Sequence, residues 1–305
     1  MKSIALALLF STSAWGAHLD TVCKATLQPM PGDQSRMLTN AAAFTIGFVA
    51  RRIVSEEGAR FVLENNQGDE VYVHAESIKS LATLSNEVWA VSAQELLQFD
   101  LNGSLIASHS INTHPALANQ ARGMSAHEGI IFLARGRGGV AAFDSATQKI
   151  KWETRLNEIK NSMAINVVTN GNKLYVIMTG TAEGGFNGVA TLEAQTGKVL
   201  QATPYDYRRA GVIYPETPAH MWQDKLVLNN GGWIHVLTEK DLLSSKSVRP
   251  RWVAHVVGEG QRQHYMMLRG DFFFENDTLV GCGVYHVNQG DDFSLESKVF
   301  RVPMP

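Results

Sequence analysis

Three stretches of this 305-residue sequence have residue types that could do chemistry: Arg135 to Gly139 (RGRGG), the scattered set of ten histidines, and Asn288-Gln289-Gly290-Asp291-Asp292. A glycine-rich phosphate cradle needs a helix start directly behind it, so that backbone N–H groups and the helix dipole meet the anion. Here the β-forming run Val140 to Asp144 (VAAFD) follows, which makes a tight hairpin turn the better account, with glycine supplying positive φ. The histidines form no HExxH and no i, i+4 helical pair. His109, His114 and His127 are near one another in sequence, as are His255 and His264, while His127-Glu128 stands alone where a strand meets a turn. Asn288, Asp291 and Asp292 offer oxygen ligands, and Ca²⁺ is the ion such hard donors would take; the stretch lacks EF-hand spacing and reads first as a solvated turn. Nucleophilic arrangements fare no better. There is no GxSxG elbow, and Ser125 and His127 lie two apart on an apparent strand, which suits lining residues and not a triad.

Composition narrows the classes. The chain is 45% hydrophobic and 18% charged, with 29 acidic against 27 basic side chains, which excludes a disordered chain and gives no basic surplus for nucleic acid. Two cysteines without a CxxC pair exclude a disulfide-scaffold protein and a cysteine-based zinc site. Residues 1–17 (MKSIALALLFSTSAWGA) carry Lys2, an apolar run from Ile4 to Phe10 and small residues at Ala14, Gly16 and Ala17, the pattern of a secretory signal peptide. That run falls well short of the roughly 20 residues a spanning helix needs, and no later segment supplies them, so no transmembrane span is expected. Leu19-Asp20-Thr21-Val22 ahead of Cys23 is not a lipobox. The expectation is a leader over 1–17 and a mature domain over 18–305, periplasmic or secreted, in an oxidising compartment.

The elements that would position any site are strands. Beyond residue 40, short runs rich in Val, Ile, Leu, Phe and Tyr are cut by Gly, Asn and Asp, and no long 3.6-residue period interrupts them. Aligned on their acidic ends, third strands close at Asp100, Asp144 and Glu193, 44 and 49 residues apart, and the related WIHVLT stretch ends 45 further on at Thr238. A period of roughly 40 to 50 residues with about four strands each is that of a β-propeller blade.

Val140 to Glu153 (VAAFDSATQKIKWE) and Val189 to Gln201 (VATLEAQTGKVLQ) resemble the repeat of the PQQ-like, or quinoprotein-type, β-propellers, whose blades carry an A-x-D-x-x-T-G-x-x-x-W type signature. Asp144, Thr147 and Trp152 occupy the Asp, Thr and Trp positions of the first segment; the second keeps Thr196 and Gly197 but has Glu193 for Asp and Gln201 near the Trp position. The resemblance implies that Asp144, Thr147 and Trp152 dock adjacent blades. Residues that would hold a quinone are not found, so PQQ is not expected and no cofactor is assigned.

The resulting expectation is an all-β fold: a single β-propeller of six blades, with seven as the alternative, because the long interval after Thr238 could hold one more. Inner strands should begin near Phe44, Lys79, Arg122, Ile165, Pro218 and His264, and a strand within His18 to Met30 should close the ring against the last blade. Phe272-Phe273-Phe274 would be inter-blade core. Cys23 in that closing strand and Cys282 in the last blade could form a disulfide locking the ring, the alternative being two buried free thiols. The loops of one face would present Arg122, Arg135, Arg137, Tyr207, Arg208, Arg209, Trp233, Arg262, His264 and Tyr265. Arginine forks and flat aromatic rings suit an acidic or glycan ligand, although acidic residues in the same loops make a mixed polar rim the plainer reading.

The function these features suggest is an exported, non-catalytic propeller, a monomer, acting as a scaffold or binding module for an envelope protein or a small or glycan ligand. The alternative is a propeller hydrolase or lactonase with a metal at the channel mouth. An enzyme needs several carboxylate, Asn or His groups converging on one point; a scaffold needs an apolar patch on a rim or blade edge.

Overall fold

Runs of β-branched and aromatic residues cut by tight turns become strands wherever one face can be buried. The computed structural model describes residues 18–24, 27–30, 33–39, 43–45, 47–55, 58–111, 120–156, 159, 162–180, 185–205, 213, 217–230, 233–244, 247, 253–254, 266–289 and 292–304. Among the described residues, β1 (Leu27–Met30) and β2 (Asp33–Thr39) pair only with each other. The first blade is β3 (Ala43–Thr45), β4 (Phe48–Ser55), β5 (Gly58–Asn65) and β6 (Glu70–His74). The second is β7 (Ser80–Leu84), β8 (Glu87–Val91), β9 (Glu95–Asp100) and β10 (Leu105–Ser110). The third is β11 (Gly123–His127), β12 (Ile130–Ala134), β13 (Val140–Asp144) and β14 (Lys149–Thr154). The fourth is β15 (Ser162–Thr169), β16 (Lys173–Gly180), β17 (Gly188–Glu193) and β18 (Val199–Pro204). The fifth is β19 (Ala219–Trp222), β20 (Lys225–Asn230), β21 (Trp233–Leu237) and the two-residue β22 (Val253–Ala254). The sixth is β23 (Met266–Glu275), β24 (Thr278–Gln289) and β25 (Asp292–Pro303).

Each blade is an antiparallel meander in chain order, and the chain is an all-β, six-bladed β-propeller. Inner strands begin at Ala43, Ser80, Gly123, Ser162, Ala219 and Met266, each within three residues of the expected place. The interval after Thr238 holds, among the described residues, the short helix Glu239–Leu242 and β22 in place of a seventh blade. Tight turns fix the hairpins. Glu128 (φ 46°) and Gly129 (φ 82°) make the two-residue link between β11 and β12, with the positive φ at both positions that such hairpins demand. RGRGG is likewise a turn: Arg135 N–H donates to Gly139 O at 2.9 Å and Gly138 N–H to Arg135 O at 2.8 Å. A Cβ on Gly139 would lie 2.1 Å from the carbonyl oxygen of Thr154, so no other residue fits there.

The outer strands share an irregularity. Val71, Ile106, Lys151 and Leu200 are each skipped in the pairing of β6, β10, β14 and β18 with the strand inside them. A one-residue bulge therefore recurs at one repeat position in four blades, bending the outer strand; the extra side chain is exposed at Ile106, Lys151 and Leu200, while Val71 is half-buried beside Gly103.

The described residues form two compact units, one of Ile78–Leu101 with Leu105–Ala254, the other of the remainder. In the first unit, blades two to five interleave. Trp89, Leu96, Met124, Leu133 and Phe143 fill the core between blades two and three. Phe132, Ala142, Val167, Val176 and Leu192 fill the next, and Ile165, Tyr175, Ile177, Leu226 and Leu228 the one after.

In the second unit, residues 18–24 are helical, which corrects the expected closing strand. Leu19, Val22 and Cys23 recur at the i, i+3, i+4 spacing of one helix face, and all three are buried against Phe44, Val49, Phe273 and Val280. The following hairpin stays a separate sheet, and the last blade has three strands among the described residues. Cys23 is bonded to Cys282, as the sequence allowed, with Cα atoms 5.1 Å apart and a sequence separation of 259. The link thus joins a helix, and not a strand, to β24. No helix among the described residues is long and apolar enough to cross a membrane.

Candidate functional site

Of the residues singled out by the repeat, Trp152 reaches the next blade, while Asp144 and Thr147 bond to each other within their own turn. Asp144 Oδ1 accepts the backbone N–H groups of Ala146 and Thr147, both at 3.0 Å, and these bonds hold its carboxyl below the usual value. Trp152 in β14 donates its indole N–H to Ala194 O on the fourth blade at 3.1 Å, and Thr154 Oγ1 donates to Gly197 O at 2.7 Å. Register places Thr203 of β18 and His109 of β10 at the position of Thr154. Thr203 Oγ1 reaches Leu242 O at 2.8 Å, and the His109 ring lies 5.2 Å from Phe143 of the next blade. His109 also stacks on Trp89, and burial lowers its pKa. One outer-strand position therefore serves as the latch to the following blade three times, with different chemistry each time.

At the other end of the strands the third blade brings Arg122, Arg135 and Arg137 together. Arg122 precedes β11 and its N–H donates to Ala134 O at 2.9 Å, while Arg135 opens the β12–β13 turn and Arg137 stands exposed at its tip. Arg135 is buried and paired with Glu153. Arg122 is half-buried, and its Nε has no hydrogen-bond partner among the described residues. Tyr207, Arg208, Arg209, Arg262, His264, Tyr265 and Asp291 lie outside the described residues; Trp233, Asn288 and Asp292 are placed in β21, β24 and β25, with side chains outside them.

Beside these ends sits a pair that no motif announced. Tyr205, at the end of β18, stacks on His235 of β21 with ring centroids 5.6 Å apart, and its hydroxyl shares a hydrogen bond with Nδ1 of His235. Both are buried. Burial pushes the Tyr205 hydroxyl far up and the His235 imidazole down to about 4. Both rings are buried and the bond between them joins blade four to blade five, so the pair is an inter-blade tie. Tyr205 N–H donates to Asn187 O at 2.8 Å, and Asn187 Oδ1 in turn accepts from Gly180 N–H at 3.1 Å. Among the described residues no three His, Cys, Asp or Glu side chains converge as metal ligands would.

Solvent instead meets apolar side chains on the blade edges. Leu101 (54% exposed), Leu105 (43%) and Ile106 (54%) cluster around the start of β10, and Val199 and Leu200 occupy the equivalent bulge of β18. Sequence reading passed over them because the bulge that turns Ile106 and Leu200 outward is visible only in the register. The one available signal was composition: β10 (LIASHS) has no charge, whereas β14 (KIKWET) has three.

Fold and edges define the class as a β-propeller with open, partly apolar blade rims. Solved propellers of the same fold include U3-55K, with a TM-score of 0.55 at 10% identity over 92% of this chain and 85% of that one. The RRP9 WD40 repeats match at 0.54 and 10% identity, over 92% and 85%. BamB from Moraxella catarrhalis matches at 0.45 and 11%, over 81% and 71%. At these identities the likeness is of fold alone. No family model matches the sequence, and no curated protein does.

Proposed function

We propose that this chain is an exported, non-catalytic β-propeller that serves as a protein-interaction scaffold in the cell envelope. The observation that carries the reading is the uncharged edge of blades two and four, where Leu105, Ile106, Val199 and Leu200 face solvent on outer strands. Apolar surface grouped in this way marks docking sites. Export is supported by the leader-like residues 1–17 and by the Cys23–Cys282 disulfide, a bond that persists in oxidising compartments. The blades read as the PQQ-like type on Asp144, Thr147 and Trp152. The arginine-bearing end of blade three, with Arg137 exposed, is a secondary place for an acidic or glycan ligand.

Velocity sedimentation of a periplasmic extract tests the reading. The chain should travel in a species larger than the monomer, and Ile106→Lys with Leu200→Lys should return it to monomer size. A wild-type chain that sediments as a monomer, or that stays in the cytoplasmic fraction, contradicts the proposal.

A further inference from the structure

The bulge at Ile106 leaves the rest of β10 regular, and the register then decides which backbone groups are spent. Ala107, Ser108, His109 and Ser110 face Gln98, Leu97, Leu96 and Glu95 of β9. Ile111 N–H donates to Gln94 O at 2.9 Å, which continues the same ladder. Antiparallel pairs alternate between bonded and non-bonded. His109 and Ala107 are therefore the bonded positions, and the N–H and C=O of Ser108 and Ser110 aim away from β9. Both serines are exposed, and among the described residues β10 is the last strand of its sheet.

Edges of this kind are normally protected by charge or proline. The equivalent strand β14 carries Lys149, Lys151 and Glu153, β18 ends on Pro204, and β6 holds Glu70 in a pair with Arg60 at 2.6 Å. β10 carries neither safeguard. Blade two is net acidic in sequence, residues 78–111 containing Lys79 against Glu87, Glu95 and Asp100, and Glu95 lies against β10 itself, accepting from Ser108 Oγ at 3.0 Å. The half-exposed row of backbone donors and acceptors can be satisfied by another extended chain, the flanking Leu105 and Ile106 offer apolar contact, and the carboxylates favour a cationic partner over a second, equally acidic copy of this edge.

We infer that the outer edge of β10 binds an extended segment of a partner protein, apolar at alternate positions and flanked by Lys or Arg, which adds to blade two as a fifth strand. Main-chain bonds to Ser108 and Ser110 supply the register, and Leu105 and Ile106 supply the apolar contact. The inference rests on the scaffold reading and names its surface and partner chemistry.

The probe is a capped peptide, Lys-Val-Thr-Val-Thr-Val-Lys, added to the full chain and followed by amide hydrogen exchange and fluorescence anisotropy. In the free protein Ser108 and Ser110 should exchange fast while His109 and Ile111 are protected; the peptide should slow Ser108 and Ser110. Ser108→Pro removes an outward N–H and no main-chain bond to β9, losing there only the Ser108 Oγ bond to Glu95 Oε1 at 3.0 Å, and it should weaken binding by about tenfold or more with blade-two protection retained. Replacing both peptide lysines by glutamates should weaken binding as well. Unchanged affinity for Ser108→Pro, protection appearing away from 105–110, or dimerisation of the chain through this edge without peptide would each overturn the inference. An envelope assembly that survives Ser108→Pro would also overturn it, and would leave the scaffold reading standing.

Discussion

The indole of Trp152 lies against the turn of the neighbouring blade so closely that a Cβ on Gly197 would come 2.5 Å from its Cε3 atom, while its N–H donates to Ala194 O at 3.1 Å. Gly197 also has φ of 70°, so the absent side chain serves both the turn and the ring. Gly197→Ala should therefore cost about 2–4 kcal/mol, combining left-handed strain with overpacking. Trp152→Ala should cost about 3 kcal/mol. In Trp152→Ala/Gly197→Ala the clash with the indole is gone and only that with Thr154 Oγ1 at 2.4 Å remains, so the double variant should lose less than the two single losses together. Urea denaturation of the four proteins measures this, and strict additivity would show that the two residues do not couple.

Cys23 and Cys282 give a second expectation. A link across 259 residues of sequence contributes, in the loop-entropy description, about 5 kcal/mol. Cys23→Ser/Cys282→Ser should lower Tm substantially and release residues 18–24 to fast hydrogen exchange, while β7 to β18 keep their protection. Thiol titration of the unfolded wild type should find free thiols only after reduction.

Acid sensitivity follows from His235. Its folded pKa is lowered to about 4 from an unfolded value near 6.5, so the unfolded chain binds the proton first and stability falls as pH drops from about 6.5 to about 4. The full contribution of this one group is about 3 kcal/mol. Melting curves at steps across that window should show the decline, and His235→Gln should flatten it. Tyr205→Phe should cost about 1–3 kcal/mol at neutral pH by leaving Nδ1 of a buried ring unpaired.

Glu64 anchors the helix of residues 18–24. It is buried, takes two bonds from Arg51 at 2.9 and 2.7 Å, and lies 3.5 Å from Nε2 of His18. Glu64→Gln should destabilise by about 3 kcal/mol, since it strands a partly buried guanidinium. Faster exchange in 18–24 with unchanged exchange in β11 to β17 would separate this local loosening from global unfolding.

The blades were legible because alternation and turn residues are local. Asp100, Asp144 and Glu193 close β9, β13 and β17 as the repeat indicated, and every inner strand starts close to its expected place. The helix at 18–24 was not, because β-branched Thr21 and Val22 favour a strand in so short a segment; burial of Leu19, Val22 and Cys23 on one face overrides that preference. The Tyr205–His235 tie joins residues thirty apart in sequence through blade packing, with no motif to signal it. The apolar edge depends on a bulge, and a bulge is a property of register that a single strand's sequence does not carry.

Photo-crosslinking in the native envelope tests the scaffold account most directly. A photoreactive side chain placed at Ile106 should give discrete protein adducts, the same group at the charged edge position Lys151 should give few, and Ser108→Pro should suppress those at Ile106. Equal labelling at both positions, or adducts confined to Arg137 on the loop end of blade three, would contradict the account.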